Sequence, residues 1–159
     1  MLKLLLAATI VVASPAIPQT DTLPIDLTAR AKAPHEDGRF VDALAALNRY
    51  VNDHIQGESD LEHYGLSDYW VQYPSDNKGD CEDFQITKMG MLGQVGFPIV
   101  TNTKLVGVIV HHDGIDEGHM ILAVRLPRGT VLYLDNLNTE PMTRRELVAK
   151  HYSFYDWRA

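Results

Sequence analysis

Cys81 is the only thiol among 159 residues, and it stands in Gly79-Asp80-Cys81-Glu82-Asp83. A lone cysteine excludes an intramolecular disulfide framework and a CxxC-type zinc site. The apolar stripe that follows it, Phe84, Met91, Leu92 and Val95, predicts a helix from about Asp80 to Val95, stopped by Gly96-Phe97-Pro98. Cys81 then occupies the first turn of that helix. There the positive end of the dipole and unpaired backbone N–H groups favour the thiolate, which is the nucleophilic form. The same N–H groups suit an oxyanion on an attacked carbonyl. The plain alternative is a buried core cysteine, against which the three flanking acids argue.

Those acids create a difficulty of their own. Asp80, Glu82 and Asp83 raise the thiol pKa by like-charge repulsion. Two remedies exist: a protonated histidine beside the sulfur, or a bound cation that neutralises the carboxylates. Clustered carboxylates suit a hard cation such as Ca²⁺. The simpler reading of the same residues is capping, with Asp80 as N-cap and Asp83 reaching back to it.

Seven histidines are available as a partner, and strand geometry singles out one. Leu105 to His111, His119 to Leu126 and Thr130 to Leu134 read as strands. Pro127-Arg128-Gly129 fits a three-residue hairpin loop. With that loop Ile121 faces Asp135, and His119, two residues earlier, is a diagonal neighbour of Asp135 on the same face. A loop of two or four residues would put them on opposite faces. Cys81, His119 and Asp135 are therefore a candidate nucleophile, base and orienting acid. In the competing reading, Asp135-Asn136 merely turns the chain and His119 opens a strand. A different constellation, His111-His112-Asp113 with Asp116, Glu117 and His119, has the residue types of a transition-metal site but no standard zinc spacing. That reading would make the protein a non-catalytic binding module.

The elements that must position these residues are legible in outline. Phe40, Leu44, Leu47, Val51 and Ile55 describe one face of a helix over Arg39 to Ile55. Gly57 to Gly79 reads as an aromatic-rich connection, whose Trp70 and tyrosines are candidates for a substrate groove. Gly90 and Gly93 within the second helix imply close approach of another element. Thr143, with Glu146 three residues on, opens a short helix to Lys150, and Tyr152 to Trp157 is expected to pack on the body. Helices first and an antiparallel sheet afterwards indicate an α+β domain.

The formal net charge of −7 argues against a nucleic-acid binder, and 45% hydrophobic with 22% charged residues is an ordinary globular composition. Met1-Leu2-Lys3 and the ten-residue apolar run from Leu4 to Ala13 have the layout of a secretory signal peptide. The run is too short to span a bilayer, which takes about 20 residues. A buried N-terminal helix is the alternative. The expected organisation is a signal peptide over 1–16, an extended lead-in over 17–37 and one domain over 38–159. The product would be exported, to the periplasm, without stable membrane insertion once the signal is removed.

Three segments sharpen this picture. Gly79-Asp80-Cys81-Glu82-Asp83-Phe84, Gly118-His119 and Leu134-Asp135-Asn136-Leu137, in that order, resemble the motif blocks of the bacterial transglutaminase-like cysteine proteinases, the LapG-like family. Asn48, Asn52, Tyr64-Gly65 and Asp68-Tyr69-Trp70 match it upstream, while the segment from Ile99 to Gly118 follows it less clearly. The resemblance implies a papain-like or transglutaminase-like core, with the nucleophile at a helix N-terminus and the helices packed on an antiparallel sheet. It also implies Cys81 as nucleophile, His119 as base, Asp135 as orienting acid and calcium held by Asp80, Glu82 and Asp83. The expected activity is that of an exported cysteine peptidase, hydrolysing peptide bonds through a thioester. Its partners would be a protein or peptide substrate and an inhibitory partner protein. Acyl transfer to an amine through the same thioester is the enzymatic alternative.

Overall fold

The computed structural model describes residues 37–155. The expected signal peptide, the lead-in up to residue 36, and Trp157 lie outside the described residues. The first apolar stripe forms helix α1, Asp37–His54, which buries Leu44, Leu47 and Val51. Each fully buried aliphatic side chain of this kind stabilises the fold by roughly 1.5–3 kcal/mol. The cysteine-bearing helix, α3, spans Cys81–Gln94 and lies within one residue of the predicted limits at each end.

Between these helices the chain is more ordered than a connection. A two-residue strand β1, Gln56–Gly57, pairs in parallel with β2, Lys78–Gly79, and a five-residue helix α2 covers Asp60–Tyr64. Ser59 caps α2 by accepting the Glu62 N–H, and Gly65 ends it in the left-handed conformation at φ 68°. The Ser-x-x-Glu spacing that marks such a start was present in the sequence. From Tyr69 to Tyr73 the chain then runs along α3. Gln72 Nε2 donates to the Ile86 carbonyl at 2.8 Å, and the Tyr73 N–H donates to Thr87 Oγ1 at 3.0 Å. This is the close approach that Gly90 implied, since a Cβ there would run into Gln72 Nε2 and Tyr73 Oη. Packed on both sides, α3 is buried well beyond its apolar stripe, and Asp83, Gln85, Thr87 and Lys88 are all inside.

After a short helix α4, Ile99–Asn102, the chain forms β3, Thr103–His112, and β4, Ile115–Arg125. Asp113 and Gly114, both at positive φ, make the two-residue turn between them. Strand β5, Val131–Leu134, follows, then helix α5, Arg144–Ala149, and strand β6, Tyr152–Phe154. Thr143 and Glu146 form the predicted capping box of α5. The strands make one antiparallel sheet in the order β5-β4-β3-β6. Leu122, Val124, Leu132 and Leu134 join the core shared with α1 and α3. On the opposite face Val108 and Ile121 pack with Leu147 of α5 and Tyr152 of β6.

The hairpin loop has the predicted length. Leu126 N–H donates to the Thr130 carbonyl at 2.7 Å, and Leu122 stands opposite Leu134. Gly129 takes φ 89°, the positive value for which glycine is suited. One residue further, Ile121 and Asp135 share a face, as the register required.

Candidate active site

β5 stops at Leu134, and that stop shapes the site. The Leu126 N–H bond across the hairpin shows that even-numbered N–H groups of β4 point toward β5. Met120 is the next in that series beyond the last paired residue, Leu122. Its backbone N–H has no strand partner on that side and hydrogen-bonds the Cys81 sulfur instead. The start of α3 thus sits against β4 one residue from His119. The side chain of that histidine is 7% exposed and donates from Nε2 to Asp135 Oδ1 at 2.7 Å. Nδ1 is left as the nitrogen that can exchange a proton.

Asp135 is 1% exposed and surrounded by donors. Burial alone would raise its pKa, but the bonds from His119, from Tyr152 and from the Leu137 N–H outweigh it and hold the carboxyl below its usual range. Two asparagines of α1, one turn apart, clamp the loop that carries it. Asn48 donates to the carbonyls of Asn138 at 2.7 Å and Thr139 at 3.0 Å, and its Oδ1 accepts the Asp135 N–H at 3.1 Å. Asn52 donates to the Asp135 carbonyl at 2.9 Å. Gln85, one turn after Cys81 on α3, reaches Asn136 Oδ1 at 3.2 Å. Trp70, Leu105, Gly107 and Met120 line an open apolar hollow that also touches Tyr155, so one of the expected groove aromatics, Trp70, lies there.

The acids beside the sulfur follow the capping expectation in part, since the Asp80 N–H reaches the Asp83 carboxylate. Asp80 precedes α3 with extended backbone but makes no side-chain capping bond. Asp83 also accepts the Val71 N–H on Oδ1 at 2.6 Å. Asp60 of α2, which the sequence reading did not single out, joins them and accepts the Tyr69 N–H on Oδ2. Carboxylate oxygens of Asp60, Asp80 and Asp83 lie within 4.8 Å of one another, as do those of Asp60, Asp68 and Glu82. Three buried oxygens of this cluster, Asp60 Oδ1, Asp80 Oδ1 and Asp83 Oδ2, have no hydrogen-bond partner. A Cβ on Gly79 would run into the Asp83 carboxylate, so glycine is required beside the cluster.

Crowded acids resist ionisation. Burial and then the charge of Glu82 push Asp80 up to about 8. Burial, partly opposed by the Val71 N–H, pushes Asp83 up to about 7. Cys81 donates its S–H to Glu82 Oε2 at 3.0 Å, and burial followed by Glu82 holds the thiol well above its ordinary range. The bond from the Met120 N–H acts in the opposite direction.

The histidine-rich alternative does not assemble. His119 turns to Asp135, while His111 bonds Asp116 from Nδ1 at 2.6 Å and Ser153 from Nε2 at 2.7 Å. Among the described residues, the groups close enough to share a cation are the two carboxylate clusters, and neither contains a histidine.

Lys88 was not anticipated inside the protein. It is fully buried, with Nζ 3.4 Å from Gln85 Oε1 and 5.8 Å from the centre of the Phe84 ring. Burial lowers its pKa to about 7, against the pull of Asp135. Below pH 7 both folded and unfolded chains hold the proton, so the fold bears the whole cost of a buried ammonium. Between about 7 and the ordinary lysine value the unfolded chain binds more protons, and stability therefore rises with pH. Lys88→Met is expected to raise resistance to urea at pH 6, by roughly 1–3 kcal/mol, and by less at pH 10. An equal gain at both pH values would show that Lys88 titrates normally.

A profile of the bacterial transglutaminase-like cysteine proteinases, BTLCP, matches residues 26–155. The chain belongs to this family. It is thereby a transglutaminase-like cysteine protease, and its mixed helical and antiparallel architecture is that of the family. The proteinase is similar in fold to Legionella pneumophila LapG, with TM-score 0.52 and 23% identity over 80% of this chain and 77% of that one. The calcium-bound form of Legionella pneumophila LapG gives TM-score 0.53 and 22% identity over 84% and 83% of the two chains. An EGTA-treated form gives TM-score 0.51. No curated protein sequence matches the proteinase. None of its described helices is long and apolar enough to cross a membrane.

Proposed function

We propose that this proteinase is an exported, calcium-dependent peptidase in which Cys81 is the nucleophile, His119 the general base and Asp135 the residue that orients the imidazole. The observation that carries the reading is the buried His119–Asp135 bond, next in sequence to the Met120 N–H at the Cys81 sulfur. The proposed organisation is a signal peptide over 1–16, a lead-in over 17–37 and the catalytic domain over 38–159.

In the forward step the Cys81 S–H proton passes to His119 Nδ1 and the sulfur attacks the peptide carbonyl carbon. Backbone N–H groups at the start of α3, that of Cys81 among them, face the developing oxyanion. His119 returns the proton to the leaving amine as the C–N bond breaks, which leaves a thioester. His119 then takes a proton from water, the hydroxide adds to the thioester carbonyl, the C–S bond breaks to free the acid, and His119 returns its proton to the sulfur.

The acidic residues fit a calcium site. Calcium takes oxygen ligands only, and Asp60, Asp80 and Asp83 present three partnerless carboxylate oxygens, with Glu82 and Asp68 alongside. When bound, the ion supplies positive charge that offsets the carboxylates flanking the thiol. That Legionella pneumophila LapG has a calcium-bound form supports the same reading.

The test is cleavage of candidate exported proteins by the mature chain, in calcium and in chelator, with labelled amine present. Hydrolysis that disappears in Cys81→Ala is the expected result. Amine incorporation exceeding hydrolysis would overturn it in favour of acyl transfer, and undiminished function in Cys81→Ala would overturn it in favour of a binding module.

A further inference from the structure

Asp135 Oδ1 accepts from His119 Nε2 at 2.7 Å and from the Leu137 N–H at 3.0 Å. Oδ2 accepts from Tyr152 Oη at 2.6 Å and from Asn138 Nδ2 at 2.7 Å. A carboxylate has about four acceptor positions, and these bonds fill them. Three of the donors belong to residues outside the candidate triad, and two of those, Tyr152 and Asn138, donate from their side chains.

The direction of each bond is set by its neighbours. Lys150 Nζ has only protons to give, and it lies 2.7 Å from Asn138 Oδ1. That contact fixes which end of the Asn138 amide is oxygen, so Nδ2 must face Asp135. Asn138 Nδ2 also donates to Tyr152 Oη at 2.9 Å. With an acceptor position of the phenol occupied in this way, its single proton goes to Asp135. Tyr152 is 5% exposed, and its ring is wedged among Val108, Ile121 and Leu147. It also meets the His119 ring edge-on, with centroids 6.4 Å apart. The hydroxyl is therefore aimed by a rigid apolar anchor.

We infer that Tyr152 is a positioning residue for hydrolysis, holding the plane of the Asp135 carboxylate so that Oδ1 stays on His119 Nε2. This rests on the assignment of His119 and Asp135 made above. An Oδ2 with fewer bonds lets the carboxylate rotate and release the imidazole. The C-terminal strand β6 is then part of the catalytic apparatus rather than a cover for the sheet.

The test is a double-mutant cycle with Asp135→Asn, read by peptide hydrolysis and by the rate at which iodoacetamide alkylates Cys81. Tyr152→Phe keeps the ring and removes one oxygen. It is expected to lower kcat roughly tenfold, the usual scale for losing an outer-shell hydrogen bond, with KM unchanged. In the Asp135→Asn background the same change is expected to cost nothing, because Tyr152 acts through that carboxylate. A role in folding alone would cost the same factor in both backgrounds, and that result overturns the inference, as does a wild-type kcat in Tyr152→Phe. Lys150→Met frees Asn138 from the surface and gives a smaller loss with the same background dependence, which keeps the test open if Tyr152→Phe does not fold. Full activity in Asp135→Asn alone would instead remove the triad assignment beneath it, an outcome the cycle reports separately.

Discussion

Asp135→Asn lowers peptide hydrolysis by roughly 10²–10⁴-fold, the upper figure being the loss when a serine triad has its aspartate changed to asparagine. The size follows from what the carboxylate does. It is buried, it accepts the His119 Nε2–H at 2.7 Å, and in doing so it leaves Nδ1 unprotonated, as the proposed mechanism requires. An amide in its place offers one oxygen and two N–H groups. If the N–H groups face the ring, His119 must accept at Nε2 and carry its proton on Nδ1, the wrong tautomer for a base. Asp135 is 1% exposed, so the loss is expected to fall on kcat while KM stays within a small factor. Steady-state kinetics on a cleavable peptide, with circular dichroism to show an intact fold, checks it. Activity within threefold of wild type would exclude Asp135 as the orienting acid.

Calcium is expected to raise the melting temperature of the folded chain by roughly 5–10 °C. A ligand present at about a hundred times its Kd contributes about 2.7 kcal/mol, and each kcal/mol is worth about 2–4 °C in a domain near this size. The stabilisation arises because the unfolded chain cannot bring Asp60, Asp80, Asp83 and Glu82 together, whereas the folded chain already has. In the fold three of their oxygens lack partners and like charges crowd one another, which is a cost that a divalent ion removes. Thermal melts in calcium, in magnesium and in EGTA make the measurement. Asp60→Asn should shrink the calcium shift without altering the melt in EGTA for the worse, since it removes one of the repelling charges. The absence of any shift at millimolar calcium would count against the site.

The parts of the protein that were legible in the sequence are those specified by neighbours along the chain. The stripe from Phe40 to Ile55 marked α1, Gly96-Phe97-Pro98 marked the end of α3, and Thr143 with Glu146 marked the capping box of α5. The pairing of His119 with Asp135 was also readable, because a three-residue loop fixes the register of every residue in a hairpin. What escaped was set by contacts across the chain. Asp60 enters the acidic cluster because the chain that follows α2 doubles back, so that Tyr69 N–H lands on its carboxylate. Tyr152 reads as one more aromatic near the end until β6 pairs with β3 and turns its hydroxyl toward Asp135. Lys88 breaks the rule that lysine stays outside, and no local pattern announces it. Helix α2 is the one omission whose signal lay in plain view, in Ser59 and Glu62 followed by Gly65.

The shortness of β5 has a consequence for anyone who would strengthen this fold. Continuing the ladder past Leu134 is an obvious route to greater stability, since each added pair satisfies backbone groups and shields an edge. Here the next N–H in line is that of Met120, and a longer β5 would compete with the sulfur of Cys81 for it. The strand end and the helix start are rivals for one proton donor. Extending the sheet would therefore be expected to give a more durable protein with its proposed nucleophile displaced, a trade of activity for stability set by where a single strand stops.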